Sequence, residues 1–236
     1  MKRLLSICPS RGRPELLKEM LQSFDANKSE GTDIVIYVSE EDPRLEDYKP
    51  ILKDYNHQIG PKKYLVEVAN MFSVDVYLDY EFYQLINDDH FVITPHFDEL
   101  LMRAVRDKGH GWGVCTPNDL LTDWARWQHP SAEVISGNII RTLGYYIYPR
   151  FQHMGCDDYM QMMSQSIRRL WRLNDVVIEH RHWVNNRRNM DDNYKWAYSD
   201  KQQVYGMRIL DEYKRLHYAT DIQKLKDAMK AEGVSF

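Results

Sequence analysis

The sequence predicts an α/β fold with a mostly parallel central sheet flanked by helices. Short apolar runs alternate with segments of helical periodicity, the rhythm of a parallel sheet covered on both faces. Polar clusters stand at the carboxyl ends of three of those runs, where open α/β sheets bind their ligands.

The first strand is Leu4-Leu5-Ser6-Ile7-Cys8, broken by Pro9-Ser10-Arg11-Gly12-Arg13-Pro14. Leu16, Leu17, Met20, Leu21 and Phe24 then recur at helical spacing, with Pro14 in the first turn, where its missing N–H costs nothing. Asp33 to Val38 reads as a second strand ending in Glu40-Glu41-Asp42, and Lys62 to Phe72 as a helix. Phe82 to Ile86 is a third strand that stops at Asn87-Asp88-Asp89-His90; a helix from Pro95 to Arg106 and a strand at Gly113-Val114-Cys115 follow. After Asn118 the alternation ends. Asp123 to Pro130 is a polar, aromatic loop, a helix is expected from Cys156 to Leu173, and Asp175 to His180 is a late strand. The tail from Asp200 to Met229 is helical and polar enough for the surface. With no repeat and no linker, residues 1–236 read as one domain.

Composition narrows the classes. The 236 residues are 43% hydrophobic and 28% charged, ordinary globular values. No apolar run approaches the roughly 20 residues of a membrane span, so no membrane partner is expected. The apolar part of the N-terminal stretch is too short for a secretory signal. Cys8, Cys115 and Cys156 lie far apart without a C-x-x-C pair, which supports neither a disulfide framework nor a structural zinc site. The expected compartment is the cytoplasm. Net charge is -4, against the basic balance usual for nucleic-acid binders. Basic residues nevertheless outnumber acids between Arg168 and Arg215. That stretch could hold an anion, or simply form solvated helix faces.

Asn87-Asp88-Asp89 carries the sharpest chemistry. Adjacent carboxylates repel, and a cation relieves the repulsion. Oxygen ligands suit Mg²⁺ or Mn²⁺, and an imidazole tilts the choice to Mn²⁺. Strand alternation places His180 and His182 on one face, as metal ligands or as a solvent-facing pair. No Walker loop or dinucleotide fingerprint is present, so a bound nucleotide would depend on the cation and on guanidinium groups, with Arg187 and Arg188 as candidates.

Ser10-Arg11-Gly12-Arg13-Pro14, Asn87-Asp88-Asp89-His90 and Asp175 to His182, in that order, resemble the GT-A glycosyltransferases, nearest to small phage and actinobacterial members. Pro117 to Leu121, Thr142 to Tyr145, and His153 followed by Asp157 add to the likeness. It implies a Rossmann-like GT-A sheet with a small antiparallel acceptor-side part and a helical C-terminal tail. The nucleotide-sugar half would span residues 1–115, the acceptor and metal-histidine half 116–198, and the tail 199–236. Residue by residue, Pro9, Ser10, Arg11 and Arg13 would border the base and phosphates, and Glu40 to Asp42 the base or ribose. Asp88 would approach the ribose and metal, and Asn87 would lie on the donor side. Asp89 would bind Mn²⁺ (or Mg²⁺), with His180 or His182 as second ligand. Arg187, with Arg188 beside it, would neutralise the departing diphosphate, and Asp191 and Tyr194 would close over the donor. Asn87 replaces a usual glycine, and Asn185-Asn186-Arg187 a lysine-bearing turn.

The implied reaction moves a sugar from a nucleoside-diphosphate sugar, a UDP-sugar foremost, to an acceptor hydroxyl. Asp157, then Asp158, are the candidate bases, and a base implies inversion; as a favourable helix cap, Asp157 carries equal weight. Trp124, Trp127 and Asn118, with Tyr145, Tyr146 and Tyr148, are candidate acceptor contacts, the alternative for the aromatics being burial in the core. The expected acceptor is a hydroxymethylated pyrimidine, or a sugar on it, in double-stranded phage DNA, with Arg168, Arg169 and Arg172 as a DNA surface. A protein or surface-glycan acceptor, a nucleotidyltransferase and a non-catalytic nucleotide-binding module are the alternatives.

Overall fold

The computed structural model describes residues 2–123, 125 and 129–235. Its strands are β1 (Lys2–Ser10), β2 (Thr32–Ser39), β3 (Asn56–Gly60), β4 (Tyr80–Leu85), β5 (His90–Val92), β6 (Val114–Asn118), β7 (Val134–Ser136) and β8 (Leu170–His180). The helices are α1 (Pro14–Asn27), α2 (Leu45–Leu52), α3 (Leu65–Asn70), α4 (Phe97–Gly109), α5 (Gly137–Leu143), α6 (Cys156–Ser166), α7 (Asp192–Ala197), α8 (Asp200–Leu216) and α9 (Tyr218–Ala231). A π-helical stretch (Met71–Val76) extends α3, and a 3-10 turn (Trp183–Asn185) follows β8.

The eight strands form one sheet in the order β3-β2-β1-β4-β7-β6-β8-β5. Only β7 and β5 run against the rest, so the sheet is mostly parallel with an antiparallel part in its second half, as expected. Alternation along the strands fills two cores. Leu4 and Cys8 of β1 join Ile34, Ile36 and Val38 of β2 beneath α1, α2 and α4. Leu5 and Ile7 join Val35 and Tyr37 beneath α3, α5, α6, α8 and α9. Burial on both faces explains why these strands read as continuous apolar runs. The one buried polar pair across the β1–β4 seam, Ser6 and Gln84, is satisfied: Ser6 donates to Gln84 Oε1 (2.8 Å), and Gln84 Nε2 donates to Ala132 O (2.8 Å).

Three sequence expectations change. The helix expected to reach Leu173 stops at Ser166. Arg168 adopts a left-handed backbone (φ 55°) and turns the chain into β8, which starts at Leu170. The tail is two helices, and Ile209, Leu210, Tyr213, Ile222, Leu225 and Met229 bury one side of them in the core. Strands β5 and β7 carry too few residues to show a period, and β3 is a polar, exposed strand at the sheet edge with no apolar run to read.

Gly155 (φ 86°) opens α6, and Gly206 of α8 packs against that loop: a Cβ on Gly206 would lie 2.4 Å from Met154 O. Backbone cannot yield as a side-chain tip can. Gly206→Ala is expected to lower stability by about 1–3 kcal/mol, read from urea denaturation midpoints.

Candidate active site

A cleft of about 880 Å³ opens at the carboxyl ends of β1, β4 and β8. Its wall includes Pro9, Ser10, Arg11, Arg13, Asn87, Asp88, Asp89, His180, His182, Asp191 and Tyr194, and also Asp157 and Asp158. Residues dispersed over 185 positions of sequence thus meet, for one topological reason. The turn after β4 carries Asp88 and Asp89 directly into β5, which pairs antiparallel with the last residues of β8, His90 opposite His180. Arg181 N donates to Asp89 O (2.9 Å) and His180 N to Asp119 O (2.9 Å), locking the junction.

Asp88 and Asp89 are both buried, and they differ in what they touch. Asp88 is satisfied: Ser10 Oγ donates to Oδ2 (2.7 Å) and Arg13 NH1 to Oδ1 (3.0 Å). Burial raises its carboxyl above the usual range, against the pull of Arg13. Asp89 Oδ2 accepts from Tyr194 OH (2.5 Å) and Arg13 NH1 (3.1 Å). Burial would raise Asp89 too, but His180, His90 and Arg13 outweigh it and hold it well below the ordinary value. Asp89 Oδ1 has no hydrogen-bond partner although it is buried. His180 Nε2 stands 3.4 Å from it without hydrogen-bond alignment. An orphaned carboxylate oxygen facing an imidazole nitrogen fits a divalent cation that takes mixed O/N ligands.

Donor atoms of Asp89, His90 and His180 lie within 4.8 Å of one another. His90 is committed elsewhere. Asn87 N donates to its Nδ1 (2.9 Å), and Nε2 faces Ser131 Oγ (3.2 Å). Burial lowers its pKa to about 3, so the ring is neutral, and a neutral imidazole has one lone pair, used here at Nδ1. His90 therefore supports the ring of His180, 4.6 Å away centroid to centroid. His182 lies beside His180 at 5.0 Å, but its Nδ1 caps Val184 N (3.2 Å) and its Nε2 meets Tyr198 OH (3.3 Å). Asp89 and His180 are the pair left open to a cation.

Arg13 organises the remaining charges. It reaches Asp88, Asp89 and Asp191, and its guanidinium lies over the Tyr194 ring at 4.6 Å. Arg188 joins it on Asp89 (3.5 Å) and Asp191 (2.5 Å). Arg187 points away: its side chain is 62% exposed and its Nε pairs with Glu179 at 3.3 Å. Asp42 is a structural tie, accepting from Gly12 N (2.7 Å) and Arg44 N (2.8 Å), and neither it nor the exposed Glu40 lines the cleft. Asn118 is likewise occupied, by Arg172, Leu120 N and Asn174 O.

At the other end of the cleft, Asp157 and Asp158 sit in the first turn of α6. Asp158 pairs with His129 Nε2 (3.2 Å), whose hydrogen bond lowers its carboxyl. Asp157 is open to cleft solvent yet surrounded by protein, and burial pushes it up to about 6. Glu133, which the sequence did not single out, is buried in the same wall and receives Tyr146 OH at 3.2 Å. It precedes β7, and because β7 runs backwards its start faces the cleft. Burial, aided by the charge of Asp157, raises Glu133 to about 8. His153, another cleft residue, is lowered by burial to about 4.

Trp124 and Trp127 lie outside the described residues. Tyr146 and Tyr148 are core residues, and Tyr145 packs against the same core while bonding Asp221. The cleft has aromatics all the same: Tyr64 and Trp196 stack at 5.5 Å and 9°. Arg168 and Arg169 stand at the far end of β8, on the order of 30 Å along the strand from His180. Arg169 bonds Ser235 O, and Arg172 bonds Asn118 and Thr122 O. No helix among the described residues is long and apolar enough to cross a membrane.

This sheet and its flanking helices define the GT-A fold. A mannosyltransferase from Pyrobaculum calidifontis, solved with GDP-Man and Mn²⁺, matches over 98% of this chain and 75% of its own, with a TM-score of 0.59 and 10% identity. An S. aureus TarS fragment with UDP matches over 92% and 72% (TM-score 0.57, 12% identity). Glucosyl-3-phosphoglycerate synthase from Mycobacterium tuberculosis, with Mn²⁺, UDP and phosphoglyceric acid, matches over 89% and 77% (TM-score 0.55, 12% identity). At these identities the likeness is one of fold. Comparison of the sequence with protein-family profiles and with curated proteins returns no match.

Glu133 gives a test of the site's electrostatics. Its ordinary pKa is 4.5 and its folded value about 8. Between these the native chain holds a proton that the unfolded chain has lost, so this residue subtracts stability as pH rises. Glu133→Gln is expected to stabilise the protein at pH 8, by about 1–3 kcal/mol after discounting for relaxation, and to leave it unchanged at pH 4. Urea denaturation at the two pH values reads the difference.

Proposed function

We propose that this chain is a glycosyltransferase that moves a sugar from a nucleoside-diphosphate sugar to an acceptor hydroxyl. The observation that carries the reading is the unpartnered Asp89 Oδ1 facing His180 Nε2 in the cleft. Support comes from the place of that cleft, at the carboxyl ends of parallel strands, and from fold neighbours solved with GDP-Man and Mn²⁺ or with UDP and Mn²⁺. Asp89 and His180 would hold Mn²⁺ or Mg²⁺, which when bound supplies Lewis-acid stabilisation of the departing diphosphate.

The chain's own residues do the rest. Arg13 and Arg188 are the cations within reach of the same carboxylates, and so of a diphosphate brought to them. Arg13 and Ser10 fix Asp88, so that Asp89 next to it presents one face only. At the acceptor end, Asp157 removes the proton of the attacking hydroxyl. A carboxyl with a pKa of about 6 is ionised at neutral pH and remains a stronger base than an ordinary aspartate. Asp158, neutralised by His129, anchors the same helical turn. One base opposite one leaving group implies direct displacement with inversion.

The test is release of nucleoside diphosphate from a panel of UDP- and GDP-sugars with Mn²⁺, using water, free sugars and hydroxymethylated DNA as acceptors. Asp89→Asn is expected to cut turnover about 100-fold or more and to abolish its metal dependence. Pyrophosphate release would mean nucleotidyl transfer, and binding without turnover a nucleotide-binding module. Asp157→Asn is expected to lower kcat about 10²–10⁴-fold with donor affinity unchanged. The parent should lose activity as pH falls through about 6, where Asp157 takes up its proton. The residual activity of Asp157→Asn should lack that acid limb.

A further inference from the structure

Residues 183–198 form a strap whose second half, from Asp191 onward, lines the nucleotide end of the cleft. Asn193 Nδ2 donates to Arg11 O (2.6 Å), Tyr194 OH to Asp89, and Trp196 stacks on Tyr64. At the strap's centre, one carboxylate receives two guanidiniums. Arg13 grips Asp191 twofold, Nε to Oδ2 at 2.7 Å and NH2 to Oδ1 at 2.8 Å, and Arg188 NH2 adds a third bond to Oδ2 at 2.5 Å. Paired guanidiniums closing on oxygens in this way are how proteins take phosphate. Asp191 is also the outermost of the three carboxylates that Arg13 serves: its side chain is 32% exposed, against 4% for Asp88 and 3% for Asp89.

We infer that Asp191 stands in for a phosphate: the Arg13–Arg188 fork receives a phosphate-bearing ligand, and Asp191 competes with that ligand for it. The inference rests on the reading of this cleft as a nucleotide-sugar site and reverses the role that resemblance implied for Asp191, closure over the donor. A carboxylate repels a diphosphate and cannot be its ligand. A diphosphate carries more charge than a carboxylate and wins the guanidiniums from it. The strap then swings free of Arg13, and ligand entry and strap opening are one exchange of ion pairs.

Isothermal titration of the full chain with inorganic pyrophosphate in metal-free buffer tests the exchange. Asp191→Asn removes the charge but keeps the side-chain oxygen that caps α7 through Tyr194 N (3.1 Å). Asp191→Ser is the second variant should the first unfold. Asp192→Asn is the control, since it deletes the same charge one residue on, from a side chain that is 96% exposed and paired with Lys195. The expected result is pyrophosphate binding at least tenfold tighter in Asp191→Asn, and within twofold of the parent in Asp192→Asn. Equal or weaker binding in Asp191→Asn, an equal gain in Asp192→Asn, or no detectable binding by any form overturns the inference. No nucleotide sugar, metal or acceptor enters this measurement. A tenfold gain alongside an inactive enzyme would therefore count against the glycosyltransferase reading alone.

Discussion

The antiparallel pairing of β5 with the end of β8 is the contact on which the site depends. β5 has three residues, too few to be stable alone, and it is held from both sides. β8 supplies one ladder; on the other edge, α1 covers it, Ser23 Oγ accepting from Val92 N (3.0 Å) and Asn27 Nδ2 donating to Val92 O (3.1 Å). Blunting an edge strand in this way prevents pairing with other chains. It also fixes the register, and register decides function. A slip of one residue would turn His180 to the opposite face and leave Asp89 facing nothing.

Charge balance is the second constraint. Asp88, Asp89 and Asp191 gather around Arg13 and Arg188. Buried charges are tolerated when paired, and removing one partner of such a pair costs about 3–5 kcal/mol. Arg13 thus holds this end of the cleft together while being the group best placed to meet an incoming anion. A lysine could not do both, because only the planar guanidinium reaches three carboxylates with directed hydrogen bonds.

The two ends of the cleft differ in character. One is a network of guanidiniums and carboxylates in which, among the described residues, Asp89 Oδ1 and Arg188 Nε are buried without a hydrogen bond. The other holds Glu133, Asp157 and Asp158, with the buried Glu133 carboxyl pushed upward and that of the solvent-open Asp157 raised beside it. The first is suited to binding charge and the second to exchanging protons.

The sequence by itself determined the layered α/β plan, because strands buried on both faces must be apolar throughout and helices between them must be amphipathic. It also offered Asp89 with either His180 or His182 as a pair worth joining, since adjacent aspartates at a strand end and alternating histidines on a strand are local patterns. Only the tertiary structure decided the rest. His90 and His182 could be told apart from a metal ligand only by their hydrogen-bond partners. Arg188 rather than Arg187 faces the acids because the turn after β8 aims one inward and the other at Glu179. Glu133 came to the cleft because β7 runs against its neighbours, and strand direction depends on partners distant in the chain. Local spacing records which residues share a face; it does not record which faces meet.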